Sequence, residues 1–201
     1  MMKLRPVEAR DENGLANVCL KTGDAGKDAT ALYQDTTLLA QIYALPYVSV
    51  SGGFGYVAED EEGICGYVVG ATDTVAFETA LEVEWWPELR RRYPLSNTKF
   101  ADGSLDEKRV QFIHHPVKTT PDLLLDYPAH IHMNVMPRTQ GKGFGSRLLS
   151  LFLDNLKDHG ASGVHAGVAP SNSDGPAFWT AKGLGIVRDD RPATVWCGCR
   201  L

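Results

Sequence analysis

A glycine-rich loop between a strand pattern and a helix pattern carries the clearest chemical signal in this sequence. The loop reads Gln140-Gly-Lys-Gly-Phe-Gly145, and it follows Pro137 at the end of an apolar strand. Glycines let the backbone turn tightly and approach a ligand closely, and the first amides of the next helix have no partner within that helix. Because the helix dipole adds partial positive charge there, the pattern predicts an anion cradle that would suit a diphosphate.

Two other phosphate-binding patterns do not fit this loop. Gly141, Gly143 and Gly145 do not form G-x-G-x-x-G, so the spacing gives no support to a dinucleotide-binding fold. No Lys-Ser or Lys-Thr pair closes the loop, which argues against a nucleoside triphosphate enzyme. A glycine-rich turn without any ligand stays open as an alternative when the loop is considered alone.

Three histidines on two neighbouring strand patterns are candidate proton acceptors. Alternation along the first strand places His130, His132 and Asn134 on one face. An imidazole with an unperturbed pKa of about 6.5 suits proton abstraction near neutral pH. His132 is the first candidate, His130 the second and His165 on the next strand the third, with a purely structural histidine as the alternative for each.

The remaining apolar patterns predict the strands and helices that would position the loop and the histidines. Strands are predicted at residues 4–7, 54–58, 64–69, 131–135, 163–168 and 194–200. Helices are predicted after Asp11 as a cap and at residues 38–45, 77–93, 144–159 and 175–181. The order predicts a mixed α/β domain, of the α+β kind, with a largely antiparallel sheet.

Length and charge limit the classes of function. The 201 residues predict one domain over residues 1–201, in which residues 94–127 are too long for an ordinary connection and predict a functional loop or insertion. The formal net charge of -5, with residues 90–92 as the one dense basic cluster, argues against nucleic acid as a partner. No apolar run approaches the roughly 18 residues of a membrane span, and no signal peptide is recognisable, so we expect a cytoplasmic protein without a membrane partner.

The four cysteines predict packing rather than metal binding. Cys197 and Cys199 form C-x-C on one face of the last strand, and Cys19 and Cys65 stand apart from them in the sequence. Zinc would need a second such pair or two histidines, so we expect reduced thiols and no metal.

Two sequence blocks together resemble the GNAT superfamily of N-acetyltransferases. The residues from Gln140 to Gly145 resemble its acetyl-CoA motif, Q-x-x-G-x-G, and residues 172–184 resemble its second block, N-x-x-A-x-x-φ-Y-x-K-x-G-F. The resemblance spans nearly the whole chain and implies a sheet flanked by helices on both faces. It also implies acetyl-CoA as co-substrate and transfer of the acetyl group to an amine by direct attack on the thioester.

A narrower resemblance points to one branch of that superfamily. Residues 85–94, the element His114-His-Pro116 and residues 127–132 are similar to the acetyltransferase-like C-terminal domain of O-GlcNAcase and its stand-alone bacterial relatives. The eukaryotic domains are thought to have lost parts of the cofactor loop. This chain keeps the whole loop, which favours binding of acetyl-CoA.

The resemblance assigns cofactor roles along the strand, the loop and the second block. The strand would pair with the pantetheine arm, an amide near Val135 would polarise the thioester carbonyl, and the loop amides would hold the diphosphate. Asn172 would bond the amide arm of the cofactor. The implied cofactor-binding residues are Met133, Asn134, Val135, Gln140, Gly141, Lys142, Gly143, Phe144, Gly145, Ser146, Asn172 and Trp179.

Two positions depart from the family pattern for proton transfer. Trp179 stands where the family usually has a Tyr as general acid, and Gly167 stands where some relatives have a Glu. Because the indole N–H is no useful acid near neutral pH, His132 and His130 become the catalytic candidates. The alternative function is a non-catalytic module that binds acetyl-CoA or a peptide.

The sequence leaves the acceptor amine open between a small molecule and a peptide, and it leaves the oligomeric state open. Acidic runs at residues 59–62 and at Glu82 and Glu84 would favour a cationic amine. Solvated surface charge explains the same runs more simply.

Overall fold

A seven-stranded mixed sheet forms the centre of the computed structural model, which describes residues 2–96 and 99–201. The strands are β1 (Lys3–Pro6), β2 (Gly53–Asp60), β3 (Gly63–Ala71), β4 (Ala129–Val135), β5 (Gly163–Val168), β6 (Gly185–Asp190) and β7 (Thr194–Arg200). Within the described residues their order is β1-β2-β3-β4-β5-β7-β6, and every neighbouring pair except β4 and β5 is antiparallel. The prediction of a mixed, largely antiparallel sheet is confirmed.

Helices cover both faces of this sheet, as the family resemblance implied. They are α1 (Glu12–Lys21), α2 (Leu38–Tyr43), α3 (Pro46–Ser49), α4 (Thr74–Glu84), α5 (Trp86–Arg92), α6 (Leu105–His114), α7 (Pro121–Asp126), α8 (Phe144–Asp158) and α9 (Gly175–Ala181). On one face, Leu15 of α1 and Leu39 of α2 pack in a core with Val69 of β3. On the other face, Leu148 and Phe152 of α8 lie in a second core with strand residues of β4 and β5.

The sheet opens between β4 and β5. Their parallel pairing is limited to Ala129 with Val164 and His130 with His165, although both strands continue beyond these pairs. From Ile131 onward, the edge of β4 that faces β5 therefore has no strand partner in the described part of the chain. The candidate active site lies at this gap between β4 and β5.

Helix α8 has the amphipathic pattern that the sequence predicts. It begins at Phe144 as predicted, ends one residue earlier than predicted, and buries Leu148, Phe152 and Leu156 completely. Phe144, at the first position, is half-buried. The four-residue spacing thus marks the face that packs on β2, β3 and β4.

One of the predicted helices is divided in the structure, and another ends earlier than predicted. The segment 77–93 forms α4 and α5, which meet at Trp85, because Pro87 in the first turn of α5 has no N–H for a continuous helix. The segment 38–45 ends as helix α2 at Tyr43, and α3 begins at Pro46. Trp86 is buried in a core with α6.

Asp11 is not a side-chain cap of α1, which corrects the sequence-based prediction. Its carboxylate accepts two hydrogen bonds from Arg5 of β1, at 2.6 and 2.8 Å, and one from the N–H of Glu8 at 2.9 Å. A bidentate, charge-assisted pair is stronger than a neutral cap bond, so the side chain turns toward the strand. Arg5 correspondingly lowers the pKa of the Asp11 carboxyl.

The segment 94–127 contains two helices, and residues 97 and 98 lie outside the described residues. Helix α7 surrounds Leu123, where the sequence suggests a short helix. Helix α6 was not predicted, and neither was strand β6, an edge strand of which Ile186 is largely exposed. Both elements lack a clear apolar stripe, which explains why periodicity does not reveal them.

The cysteine thiols are free and three of the four are buried. Cys197 and Cys199 lie on the same side of β7, toward the core under α8, as strand alternation predicts. The residues that the structure describes contain no group of His, Cys, Asp or Glu able to hold a metal ion. Over the same ranges, no helix combines the length and the apolar character that crossing a bilayer requires.

Candidate active site

A continuous cavity of about 1450 Å³ passes across β4 and reaches both groups of residues that the sequence singles out. We call its two parts the loop side and the helix side. The loop side includes Val135, Gly141, Gly143, Asn172 and Trp179. The helix side includes Tyr43, Tyr47, Glu78, Arg109 and His132.

The glycine loop forms an open cradle at the start of α8. Gly141 and Gly143 have φ angles of 74° and 81°, in the left-handed region where glycine is favoured, and a Cβ built at either would meet no atom within 4 Å. The first helical hydrogen bond runs from the Arg147 N–H to the Gly143 carbonyl. The amides before Arg147 therefore have no partner in the helix, and a bound anion can accept from them.

Polar side chains hold the loop of this cradle in place and add positive charge to it. Gln140 Nε2 donates to the Val135 carbonyl oxygen at 3.0 Å, which ties the loop to the end of β4. Lys182 Nζ donates to Ser146 Oγ at 2.7 Å, and both residues line the loop side. Lys182 adds positive charge to this cradle. It belongs to the second block of the family resemblance, but it was not among the predicted site residues.

Two of the loop residues implied by the resemblance do not line the cavity. Lys142 is exposed, and Phe144 packs beside Arg147, whose guanidinium carbon lies 6.0 Å from the ring centre. The backbone of Phe144 still belongs to the first turn of α8. A role for these two residues in ligand binding would thus be through the backbone.

The open edge of β4 supplies backbone groups to the same cavity. The Met136 N–H donates to the Cys65 carbonyl on β3 at 2.8 Å. Backbone groups of a strand alternate in direction, so the N–H groups of Val135 and Met133 point away from β3, toward the gap before β5. An extended ligand in the gap can pair with these groups.

Asn172 and Trp179 approach the gap from the second block. The Asn172 Oδ1 accepts from the Gly175 N–H at 3.0 Å, which holds the side chain and leaves its Nδ2 as the donor for a ligand. Trp179 of α9 is 7% exposed and packs in the core beneath α8 while lining the cavity. Its indole thus forms part of the wall.

Gly167 lies on β5 beside Trp196. A Cβ at Gly167 would lie 3.1 Å from Cζ3 of Trp196. The Trp196 indole is itself fixed, because its Nε1 donates to Asp190 Oδ2 at 2.9 Å. The ring therefore crowds the position at which some relatives have a Glu.

His130 is held by protein on both sides of its ring. Thr74 Oγ1 lies 2.9 Å from its Nδ1, and the Tyr47 hydroxyl lies 3.0 Å from its Nε2. Burial, with the nearby His132 and His165, lowers its pKa well below the usual value. Both ring nitrogens are engaged, so the geometry favours a positioning role.

His132 is arranged differently. Its ring lines the helix side of the cavity, 5.9 Å from the ring of Tyr43 and 5.5 Å from that of Tyr47. Within the described residues, neither ring nitrogen makes a hydrogen bond to protein. Burial, followed by repulsion from His165, lowers the pKa of His132 to about 4. The ring is therefore neutral at physiological pH, and it is a weaker proton acceptor than the unperturbed value of about 6.5 predicts.

His165 and Asn134 complete the polar face of β4 and β5. The Nδ1 of His165 is 2.8 Å from the Tyr127 carbonyl oxygen, and burial lowers the pKa of this imidazole. Asn134 Nδ2 donates to Thr22 Oγ1 at the end of α1. The structure thus brings Asn134 to the same side as His130 and His132, as alternation predicts, and fixes it to a helix.

Several cavity residues were missed by sequence analysis. Tyr43 and Tyr47 come from α2 and α3, Glu78 from α4, and Arg109 from α6. Nothing in their spacing marks them, because they come together only in the folded chain. The length of segment 94–127 was the one available signal for Arg109.

Comparison with known proteins places this architecture among acetyltransferases. The solved structure of SsHAT is similar to this chain with a TM-score of 0.86 and 30% identity, over 99% of this chain and 98% of that one. The PaiA N-acetyltransferase of Thermoplasma acidophilum, solved in complex with coenzyme A, is similar in fold with a TM-score of 0.55 and 11% identity, over 100% of this chain and 99% of that one.

Curated relatives extend the comparison to part of a larger protein. Protein O-GlcNAcase of Rattus norvegicus is 25% identical over 183 residues, which cover 90% of this chain and 20% of the relative. The chain thus spans about a fifth of the length of the curated relatives it matches. No family model matches this sequence.

Proposed function

The chain belongs to the GNAT superfamily of N-acetyltransferases, and on that premise we propose that it moves the acetyl group of acetyl-CoA to an amine. The open cradle at Gly141 and Gly143 carries this proposal, because a Cβ at either position would enter the space left for a ligand. In this proposal residues 1–201 act as one acetyltransferase domain, and residues 94–127 contribute to the helix side of the cavity.

The loop side fits the co-substrate in charge and in shape. The amides at the start of α8, with Lys182 beside them, would hold the diphosphate. The open edge of β4 would pair with the pantetheine arm, and Asn172 would donate to it from Nδ2. The bound co-substrate supplies an activated acetyl thioester at the point where the loop side meets the helix side.

The acceptor enters from the helix side. Its amine nitrogen attacks the thioester carbonyl carbon and forms the new C–N bond, the C–S bond breaks, and the thiolate leaves with the bonding electron pair. The nitrogen gives up one proton and the sulfur takes up one, so the products are an N-acetylated amine and free CoA. The cleft-facing amide of Val135 would stabilise the negative charge that develops on the carbonyl oxygen.

His132 would accept the proton from the attacking nitrogen, directly or through one water. Its ring is neutral at physiological pH, and its nitrogens are not engaged by the described part of the protein. Trp179 would pack on the co-substrate and take no part in proton transfer, since indole is no useful acid near neutral pH. The leaving thiolate would then take its proton from solvent.

Release of free thiol is the direct test. The protein is incubated with acetyl-CoA and a panel of primary amines, thiol is detected with a disulfide reagent, and the acetylated amine is identified by mass spectrometry. Amine-dependent thiol release that is absent from a Gly143→Val control supports transfer. Tight acetyl-CoA binding without release across the panel would instead favour a non-catalytic binding module.

A further inference from the structure

The guanidinium of Arg109 stands on the helix side of the cavity without a carboxylate partner among the described residues. It comes from α6 and is half-buried. Its Nη1 donates to the Tyr43 hydroxyl at 2.8 Å, and its Nε makes a long bond of 3.4 Å to the Tyr33 hydroxyl. Arginine has five N–H donors, so most of this fork remains available to a ligand.

Three carboxylates near Arg109 in the chain or around the cavity are engaged elsewhere. Asp106 is buried and accepts from the backbone N–H groups of Gln34 and Asp35. Glu107 accepts from the Gly103 N–H, and Glu82 forms a two-point pair with Arg90 of α5. A half-buried cation whose neighbouring acids are occupied favours an anion from outside the chain.

Arg109 lies close to the proposed reaction centre. Its guanidinium carbon is 5.7 Å from the centre of the Tyr43 ring, and that ring is 5.9 Å from the ring of His132. One aromatic side chain therefore separates the anion-binding fork from the proposed base. An acceptor lying across Tyr43 can reach both at once.

A carboxylate of opposite charge lines the same side of the cavity. Glu78 of α4 accepts from the Thr119 N–H at 3.0 Å and is half-buried. Its charge also acts on Tyr47, which contacts the rings of both His130 and His132. The helix side thus offers one negative group from α4 and one positive group from α6, an arrangement that complements a molecule with both charges.

We propose that the acceptor is an amine that also carries an anionic group, and that Arg109 binds this group while the amine faces His132. The inference rests on the proposed acetyl transfer and narrows its substrate class from amines in general to amino-carboxylates. A phosphate or phosphonate offers similar oxygens to the arginine fork, so the test separates the two kinds of anion.

Matched pairs of amines that differ only in the anionic group provide the test. 4-Aminobutyrate, whose amine and carboxylate are separated by a three-carbon chain, is compared with its amide and with 3-aminopropylphosphonate. For each, kcat/KM is measured by thiol release. Binding is measured separately by calorimetry on protein saturated with CoA, so that recognition is read without turnover.

Three variants are compared with the native chain. Arg109→Gln removes the charge, and Arg109→Lys keeps the charge but loses the planar fork. Arg92→Gln is the matched control, because Arg92 is exposed, lies over the ring of Tyr93 and does not line the cavity. Acetyl-CoA affinity of each variant reports whether its fold is intact.

We expect the native chain and Arg92→Gln to prefer an anionic acceptor over its amide by about 10- to 100-fold, the usual weight of a hydrogen bond to a charged group. Arg109→Gln should lose this preference, because its kcat/KM for the anionic acceptors falls toward its value for the amides, and Arg109→Lys should keep part of it. A preference confined to the phosphonate would identify the anion as phosphate-like rather than carboxylate and so overturn the narrower assignment.

Failure of this inference and failure of the proposed function give different results. Equal use or equal binding of the anionic and amide acceptors by the native chain would overturn the anion site while acetyl transfer stands. The same holds if Arg109→Gln keeps the full preference. Anion-dependent binding to the CoA-saturated protein without thiol release would support the anion site and contradict acetyl transfer.

Discussion

His130 and His132 lie on the same face of β4 with their rings 6.1 Å apart, yet His130 alone has protein partners on both nitrogens. One ring is fixed by Thr74 and Tyr47, and the other faces the cavity. Two histidines that look equivalent in the sequence therefore differ in whether a ring nitrogen can reach a ligand in the cavity.

Replacement of His132 should affect the chemical step. His132→Gln should lower kcat/KM by about 10²- to 10⁴-fold, the usual contribution of a positioned base, and leave acetyl-CoA affinity unchanged. Because burial lowers the pKa of His132 to about 4, the ascending limb of the native pH profile should lie well below neutrality. Near-normal turnover of His132→Gln, or an unchanged ascending limb in its pH profile, would mean that another group accepts the proton of the amine.

Replacement of Gly143 should abolish binding of acetyl-CoA. In Gly143→Val, the new side chain would enter the open cradle at a position where φ is 81°. Gly160, at the far end of α8, is the matched control, since its φ is 75° and its built Cβ also meets open space. Gly143→Val and Gly160→Val should each lose about 1–2 kcal/mol of stability through backbone strain. Calorimetry should detect loss of acetyl-CoA binding in Gly143→Val alone.

Trp179 should be replaceable by another aromatic residue. Trp179→Phe should retain most of the turnover, with a stability loss of about 1–2 kcal/mol from the smaller buried ring. Trp179→Tyr restores the hydroxyl of the family pattern, and we expect it to match or exceed the native rate. Near-complete loss of turnover in the Phe variant with intact acetyl-CoA binding would show that the indole N–H takes part.

Stability should fall as the solution becomes acidic between pH 6.5 and about 4. Burial lowers the pKa of His130, His132 and His165 in the folded chain, so the unfolded chain binds more protons below its own pKa of about 6.5. His132 lowers the free energy of unfolding by up to about 1.4 kcal/mol per pH unit within this window, His130 and His165 act in the same direction below pH 6.5, and none of this cost is present above it.

Denaturant unfolding at a series of pH values measures this slope. His132→Gln should make it shallower, because the variant lacks the ring whose pKa the fold lowers. A slope that is unchanged in His132→Gln would mean that this ring titrates normally in the folded chain.

The sequence predicts the loop side well because its signals are local. Pro137, the glycines from Gly141 to Gly145 and the apolar spacing of α8 are contiguous, and the structure places the loop where these patterns predict it. Strand alternation likewise places His132 on the face opposite the α8 core. Such features depend on a few neighbouring residues and not on the fold as a whole.

The helix side could not be predicted because its contacts join distant residues. Arg109 meets Tyr43 across 66 positions of sequence, and α6, which carries Arg109, shows no clear apolar stripe. The pairing of Asp11 with Arg5 depends in the same way on contacts between distant parts of the fold, and so does the closeness of Trp196 to Gly167. Residue types alone do not reveal which of these partners meet.

The early end of the pairing between β4 and β5 has a consequence for selectivity. Unpaired strand edges on a protein surface invite pairing with other chains, and proteins generally protect them. Here the edge from Ile131 onward lines the cavity, together with Trp179 and Trp196. We therefore expect this edge to pair with a slender, extended molecule that can enter the cavity more readily than with the strand of a folded neighbour.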